Sequence, residues 1–278
     1  TGQQPGLFGG PVYTWSKALG ALALADAIEA ATGVATAPIF WAATDDADFA
    51  EASYTVVARV GGADLLRDAR VPPSGTPMSL APLGDVSDLL RMLASACGSA
   101  ADHRPFEAVR AAYAAEGRTV GGAYVALLRS VLAPLGVPVL DASHPASIAA
   151  GAPTMLLALE RAREVEQSLL SRGDALRAAG FEPQVEDMPG MSLVFARSDT
   201  VKRRLAVSET PDASSSLTPN VLLRPIAEHQ MLPTVAYVAG PGELAYFAQV
   251  GAVASAMGLD TPLAVPRWSC TLLEPHVE

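Results

Sequence analysis

Three aspartates crowd one short stretch of the sequence: Asp45, Asp46 and Asp48 in TDDADFAE, just after the apolar run APIFW at residues 37–41. Clustered carboxylates at a strand end can accept protons, hold an amine or bind Mg²⁺. Asp is equally at home there as the cap of a helix start. A second polar segment opens the chain, TGQQPGLFGGPVYTWSK at residues 1–17. Its glycines, Gly2 and Gly10 among them, let backbone approach a ligand closely, and a helix beginning near Pro11 would aim its amides at a phosphate or carboxylate. Gln3, Tyr13, Thr14 and Lys17 travel with it. The segment is neither a GxGxxG fingerprint nor a Walker loop, and an ordinary Gly-rich turn reads equally well. A third segment, AYVAGPGELAYFAQ at residues 236–249, joins an apolar run to a turn at Gly240 and then to a helical stretch bearing Glu243, Tyr246 and Gln249. Tyr246 and Gln249 share one helix face; a helix-start charge for Glu243 and core packing for Tyr246 are the plainer roles. In the fourth, VPRWSCTLLEP at residues 265–275, Arg267 leaves a strand and is followed by Ser269 and Thr271, a set that suits phosphate.

Several other chemistries find no support. The histidines at 103, 144, 229 and 276 make no HxH or HExxH spacing, so no zinc site is expected. There is no GxSxG elbow. The net charge is −10, from 19 basic and 29 acidic residues, which argues against a nucleic-acid partner. The basic run Lys202-Arg203-Arg204 reads as a solvated strand face. Cys97 and Cys270 are too few for a disulfide framework and fit a reducing cytoplasm. No apolar run approaches the roughly 18 residues of a membrane span. The opening inside a Gly-rich motif, with no strand leading into it, points to sequence upstream.

Apolar strand runs alternate with helical periods, the pattern of a parallel sheet with helices on its faces. Val12, Trp15, Leu19 and Leu22 lie on one face of a first helix ended by Gly33. Strands are expected at 37–41, 54–60, 137–141, 231–240 and in TPLAVPR, with helices at 105–116, 121–135, 154–179 and 243–257. Residues 191–197 and 203–208 form a hairpin, and Thr218-Pro219 resembles a helix cap followed by Pro at the first helical position. The expected organisation is a Rossmann-type core with a helical insert over 1–180, a small β-hairpin insert and linker over 181–216, and the rest of the core over 217–278. Ligands in such sheets bind beyond the carboxyl ends of the strands. Gly10, Tyr13, Asp46, Asp48, Gly240, Glu243 and Arg267 are therefore expected to line one cleft, with an anion near the amides around Gly10.

Taken together these segments resemble the bacillithiol biosynthesis cysteine-adding enzyme family. LTPNVLLRPIAEHQMLPTVAYVAGPGELAYFAQ, residues 217–249, is the most specific match, and the two terminal segments and FWAATDDADFAE support it in the expected order. The resemblance implies an α/β, Rossmann-type, nucleotidyltransferase-like core with connective inserts. It also implies a coiled-coil domain that makes a homodimer, a domain largely absent from this chain. The implied activity is that of a ligase adding cysteine to glucosaminyl-malate in the last step of bacillithiol synthesis, with ATP or another nucleotide as the donor. On that reading Asp46 or Asp48 holds or deprotonates the amine, and Lys17, Arg224 or Arg267 neutralises a carboxylate or phosphate. The acidic segment departs from the family pattern at Ala47, where an imidazole is expected; its loss removes a proton carrier. Two other readings follow: an adenylate-forming ligase or nucleotidyltransferase with another substrate, or a non-catalytic binding protein.

Overall fold

The computed structural model describes residues 1–270 other than 60 and 213. In chain order its strands and α-helices are β1 (Gly2–Gln3), α1 (Val12–Thr32), β2 (Phe40–Ala42), α2 (Phe49–Ala52), β3 (Tyr54–Arg59), β4 (Gly62–Arg67), α3 (Ser87–Cys97), α4 (Arg104–Tyr113) and α5 (Val120–Leu132). Then come β5 (Val139–Asp141), α6 (Pro145–Glu160), α7 (Ala162–Ala178), β6 (Met191–Arg197), β7 (Lys202–Ala206), β8 (Ser216–Pro219), α8 (Arg224–Met231), β9 (Ala236–Ala239), α9 (Pro241–Met257) and β10 (Leu263–Pro266).

Two parallel units form the centre, β1-β2-β5 and β9-β10. They meet at Thr1, whose hydroxyl donates to the Val238 carbonyl at 2.7 Å. The strands alternate with helices as the apolar pattern requires, and this is a Rossmann-like α/β fold. Phe40, Ala42 and Val139 are buried against Ala18 of α1 and Tyr124, Leu128 and Leu132 of α5. The β3–β4 hairpin and helices α3 and α4 are inserted between β2 and α5 and share a second core around Phe49, Leu66, Met78 and Phe106. A third core joins α6, α7, α8 and α9 to the antiparallel sheet β7-β6-β8. No helix among the described residues is long and apolar enough to cross a membrane.

Several expected elements are corrected. The inward face of α1 carries Thr14, Lys17, Ala18, Ala21 and Ala25, while Val12 and Leu19 point outward. In so alanine-rich a helix the large side chains do not define the packed face; small ones allow the close approach, and a Cβ on Gly20 would lie 3.8 Å from Val238. The expected helix over 154–179 is two helices, the first opening at Pro145 and the second starting after Arg161. Thr218 and Pro219 are not a cap: they pair with Phe195 and Val194 in β8. Asn220 holds the turn that leads into α8, its Oδ1 accepting from the Leu222 and Leu223 amides, and Pro225 lies in the first turn of the helix. β4, in GADLLR, was not expected as a strand. β2 and β9 start later than their apolar runs, after Pro38 and Pro233, which have no amide to donate.

Candidate functional site

The carboxyl ends of β1, β2 and β9 open into a cleft of about 740 Å³. Gly2, Gln3, Tyr13, Lys17, Asp46, Asp48, Arg224, Gly240, Glu243, Tyr246 and Arg267 all line it. Asp46 and Glu243 therefore share one cavity, although they are 197 residues apart in sequence.

Three expected residues are not in the lining: Gly10, Thr14 and Ser269. Gly10 is excluded because the loop before α1 turns into the core. Phe8 adopts a left-handed backbone (φ 55°), and its ring meets Tyr113 at 5.0 Å. Gly9 follows at φ 100°, where a Cβ would lie 2.7 Å from Trp15, and a Cβ on Gly6 would meet the Gly10 Cα at 2.6 Å. These glycines serve packing of the loop on itself rather than approach to a ligand. Thr14 is fully buried and belongs to the interior. Ser269 is exposed and accepts from Arg267 Nη1 at 3.1 Å outside the cleft lining. Thr271 lies outside the described residues.

The floor of the cleft is an ionic cluster assembled from three distant segments. Lys17 Nζ donates to Glu243 Oε2 at 2.6 Å and to Gln3 Oε1 at 3.2 Å. Glu243 Oε2 also accepts the Gly240 amide at 2.7 Å, so this side chain closes the start of α9 and pairs with Lys17 at once. Its Oε1 accepts from the Tyr237 hydroxyl at 3.3 Å, and Arg224 Nη2 stands 3.7 Å away. Arg224 in turn donates to the Tyr246 hydroxyl at 3.1 Å and lies 3.5 Å from Glu228. Burial lowers the pKa of Lys17 against the pull of Glu243. For Glu243, burial would raise the pKa, but Lys17, Arg224 and the Gly240 amide outweigh it and hold the carboxyl below its ordinary value. Glu228, behind Arg224, is pushed up to about 7 by burial, against the Arg224 charge.

The aspartates form another part of the rim, and each has a partner. Asp46 Oδ1 accepts the Asp48 amide at 2.7 Å, and Asp48 Oδ1 caps α2 through the Glu51 amide at 3.1 Å. Asp45 is paired with Lys202, whose ammonium also bonds the Asp45 carbonyl. Lys202 and Arg204 therefore face the cleft, contrary to the expected solvated strand face; only Arg203, paired with Glu209, points outward. Period-2 alternation along Lys202-Arg203-Arg204 was the available signal, since it puts the first and third side chains on one face. Among the described residues no group of three or more His, Cys, Asp or Glu is arranged to hold a metal.

An α/β protein with a Rossmann-like sheet and a charged cleft at its strand ends is the class this geometry defines. The model of the bacillithiol biosynthesis BshC N-terminal Rossmann-like domain matches residues 1–212 and 202–268. The chain is 34% identical to a protein of Solibacter usitatus over 99% of its own length and 54% of the relative's. It is 32% identical to one of Koribacter versatilis (100% and 55%) and 33% identical to one of Salinibacter ruber (100% and 55%). All three carry the name "Putative cysteine ligase BshC". The chain belongs to this family, and it spans about half the length of the curated relatives it matches.

Proposed function

We propose that this cleft is the active site of a cysteine ligase that joins cysteine to the amine of glucosaminyl-malate in the last step of bacillithiol biosynthesis. The carrying observation is the cleft's two-sided chemistry: Lys17, Arg224 and Arg267 on the parts built from α1, α8 and β10, and Asp46 and Asp48 on the loop after β2. Cations there neutralise the cysteine carboxylate. An ammonium has no lone pair for attack, so Asp46 or Asp48 takes its proton. A free carboxylate is a poor acyl donor; a nucleotide such as ATP supplies the activation when bound, with Arg267 and the Gly240–Gly242 turn as its contacts. Lys17 is held by Glu243 and Gln3 in a fixed place, so its charge costs no reorganisation during the reaction. In the whole protein a homodimer is proposed, built through the family's coiled coil.

Ala47 favours a second reading, a binding protein without catalysis. It lines the cleft between Asp46 and Asp48, and none of the described histidines lines it. Incubation of the whole protein with glucosaminyl-malate, cysteine and ATP, followed by mass spectrometry, separates the two. The ligase reading expects an amide product and consumed ATP. Tight substrate binding without product establishes the binder, and turnover only with a different amine or acid establishes a ligase of other specificity.

A further inference from the structure

The ion pairs of the cleft leave two cations over. Lys17 and Arg224 are matched by Glu243 and Glu228, and Lys202 by Asp45. Arg267 and Arg204 also line the cleft, and neither has an ion-pair partner among the described residues. They come from different walls: Arg267 follows β10 of the parallel sheet, whereas Arg204 lies on β7 of the antiparallel one.

Arg204 pairs across the ladder with Phe195, so the two side chains share a face, and Lys202 lies two residues back on that same face. The Phe195 ring has Lys202 Nζ at 4.6 Å and the Arg204 guanidinium carbon at 6.0 Å from its centroid. Arg204 Nε donates to the Ser192 carbonyl at 2.6 Å and Nη1 lies against Met188 Sδ. Neither contact carries a charge, and burial lowers the pKa of the group with no acid to oppose it. Asn220 lines the cleft as well; its Oδ1 is taken by the Leu222 and Leu223 amides just before α8, so Nδ2 is the donor it has to offer. A partly buried guanidinium without a counter-ion lacks its best partner, and its planar fork matches a carboxylate.

We propose that Arg204, over Phe195 and beside Asn220, is a carboxylate-binding subsite on the antiparallel wall of the cleft, and that it takes the dicarboxylate end of the acceptor. The identity of the occupant as the acceptor rests on the ligase reading above; the subsite itself does not. Its place opposite the Arg267 wall would orient the acceptor with its acid end on the insert and its amine towards Asp46 and Asp48.

Calorimetric titration of the whole protein with L-malate and with pyrophosphate tests this in the parent, Arg204→Gln and Arg204→Lys. The expected result is a malate Kd at least tenfold weaker in Arg204→Gln, an intermediate value in Arg204→Lys, and unchanged pyrophosphate binding in both. Arg204→Lys keeps the charge and so guards against a folding defect in the first variant; its unfolding midpoint should match the parent. The proposal is overturned if the parent does not bind malate, if Arg204→Gln binds it as tightly, or if malate and pyrophosphate weaken together, which would make Arg204 a phosphate contact. Arg204-dependent malate binding in a protein that forms no amide product retains the subsite and rejects the ligase reading.

Discussion

Lys17 and Glu243 are 226 residues apart in sequence and their charged atoms are 2.6 Å apart in space, with 1% of the Lys17 side chain exposed. Removing one partner of such a pair leaves an uncompensated buried charge, which costs about 3–5 kcal/mol. Lys17→Met should therefore destabilise the protein in urea unfolding, by less than that full amount because Arg224 still stands 3.7 Å from Glu243. Lys17→Met combined with Glu243→Gln should cost clearly less than the sum of the single changes, because the second removes the stranded carboxylate. Some loss should remain, since Glu243 also accepts the Gly240 amide. Additive single effects would show that the pair is not coupled.

Glu228 gives stability a pH dependence. Its ordinary pKa is 4.5, and burial raises it in the folded protein to about 7. The folded state therefore holds a proton that the unfolded chain has released between those values, and stability falls as pH rises through that window. The effect is bounded by about 3 kcal/mol, with the pull of Arg224 at 3.5 Å already included in the raised value. Glu228→Gln should flatten this part of the profile and be the more stable protein at pH 8. Unfolding free energies measured from pH 5 to pH 8 for both proteins check the sign; a parent that gains stability over this interval relative to Glu228→Gln contradicts it.

Much of this cleft was legible from the residues because the rule for open α/β sheets needs only strand ends. Asp46 follows β2 and Glu243 follows β9, each the end of a strand in a parallel unit, and both line the one cleft. Three described residues, Gly10, Thr14 and Ser269, lie outside the lining. Gly10 and Thr14 fail because a Gly-rich loop looks the same in sequence whether its glycines admit a ligand or a neighbouring ring, and here Gly9 admits Trp15. Lys202 and Arg204 were missed because the insert sheet's orientation depends on a long-range contact, Lys202 with Asp45, that no local pattern encodes. The α1 face was misread because alanine fits a packed or an exposed side equally well.

Gly9→Ala probes the loop. At φ 100° an L side chain is strained, and its Cβ would meet Trp15 at 2.7 Å and Leu127 at 3.1 Å. The expected loss is about 2 kcal/mol or more. Gly33→Ala is the control, at φ 71° with nothing within 4 Å of the added carbon; it should pay only the backbone term, about 1 kcal/mol. Equal losses in the two would mean that the Trp15 contact relaxes freely.

Lys202 fastens the antiparallel sheet to the aspartate loop through Asp45, and to the loop between β4 and α3 through its own amide, which donates to the Gly75 carbonyl at 2.9 Å. Both side chains of the ion pair are about 10% exposed, so the bond is shielded from solvent. Lys202→Met should raise amide exchange in β6 and β7 and around Asp45–Asp48, while β9 and α9 remain protected. Faster exchange throughout the molecule would instead indicate global destabilisation.

Arg267 lines the cleft, and its guanidinium carbon lies 5.2 Å from the Tyr13 ring centroid. Its hydrogen bonds go to the Trp268 carbonyl and the Ser269 hydroxyl, both neutral and both within two residues of it. The stacking on Tyr13 is worth about 0.5–1 kcal/mol at so open a position, which limits what Arg267→Ala can cost the fold. A charge-assisted bond to a phosphate is worth about 1.5–3 kcal/mol, roughly a tenfold to hundredfold change in Kd. Arg267→Ala should therefore weaken pyrophosphate and ATP binding by that factor and leave the unfolding free energy within about 1 kcal/mol of the parent. Tyr13→Leu separates the two roles: it removes the ring that steadies the guanidinium without removing the charge, so binding should weaken by a smaller factor. Unchanged affinity in Arg267→Ala, with the fold intact, would leave Arg267 as a surface cation and move the phosphate contact to Lys17 and Arg224.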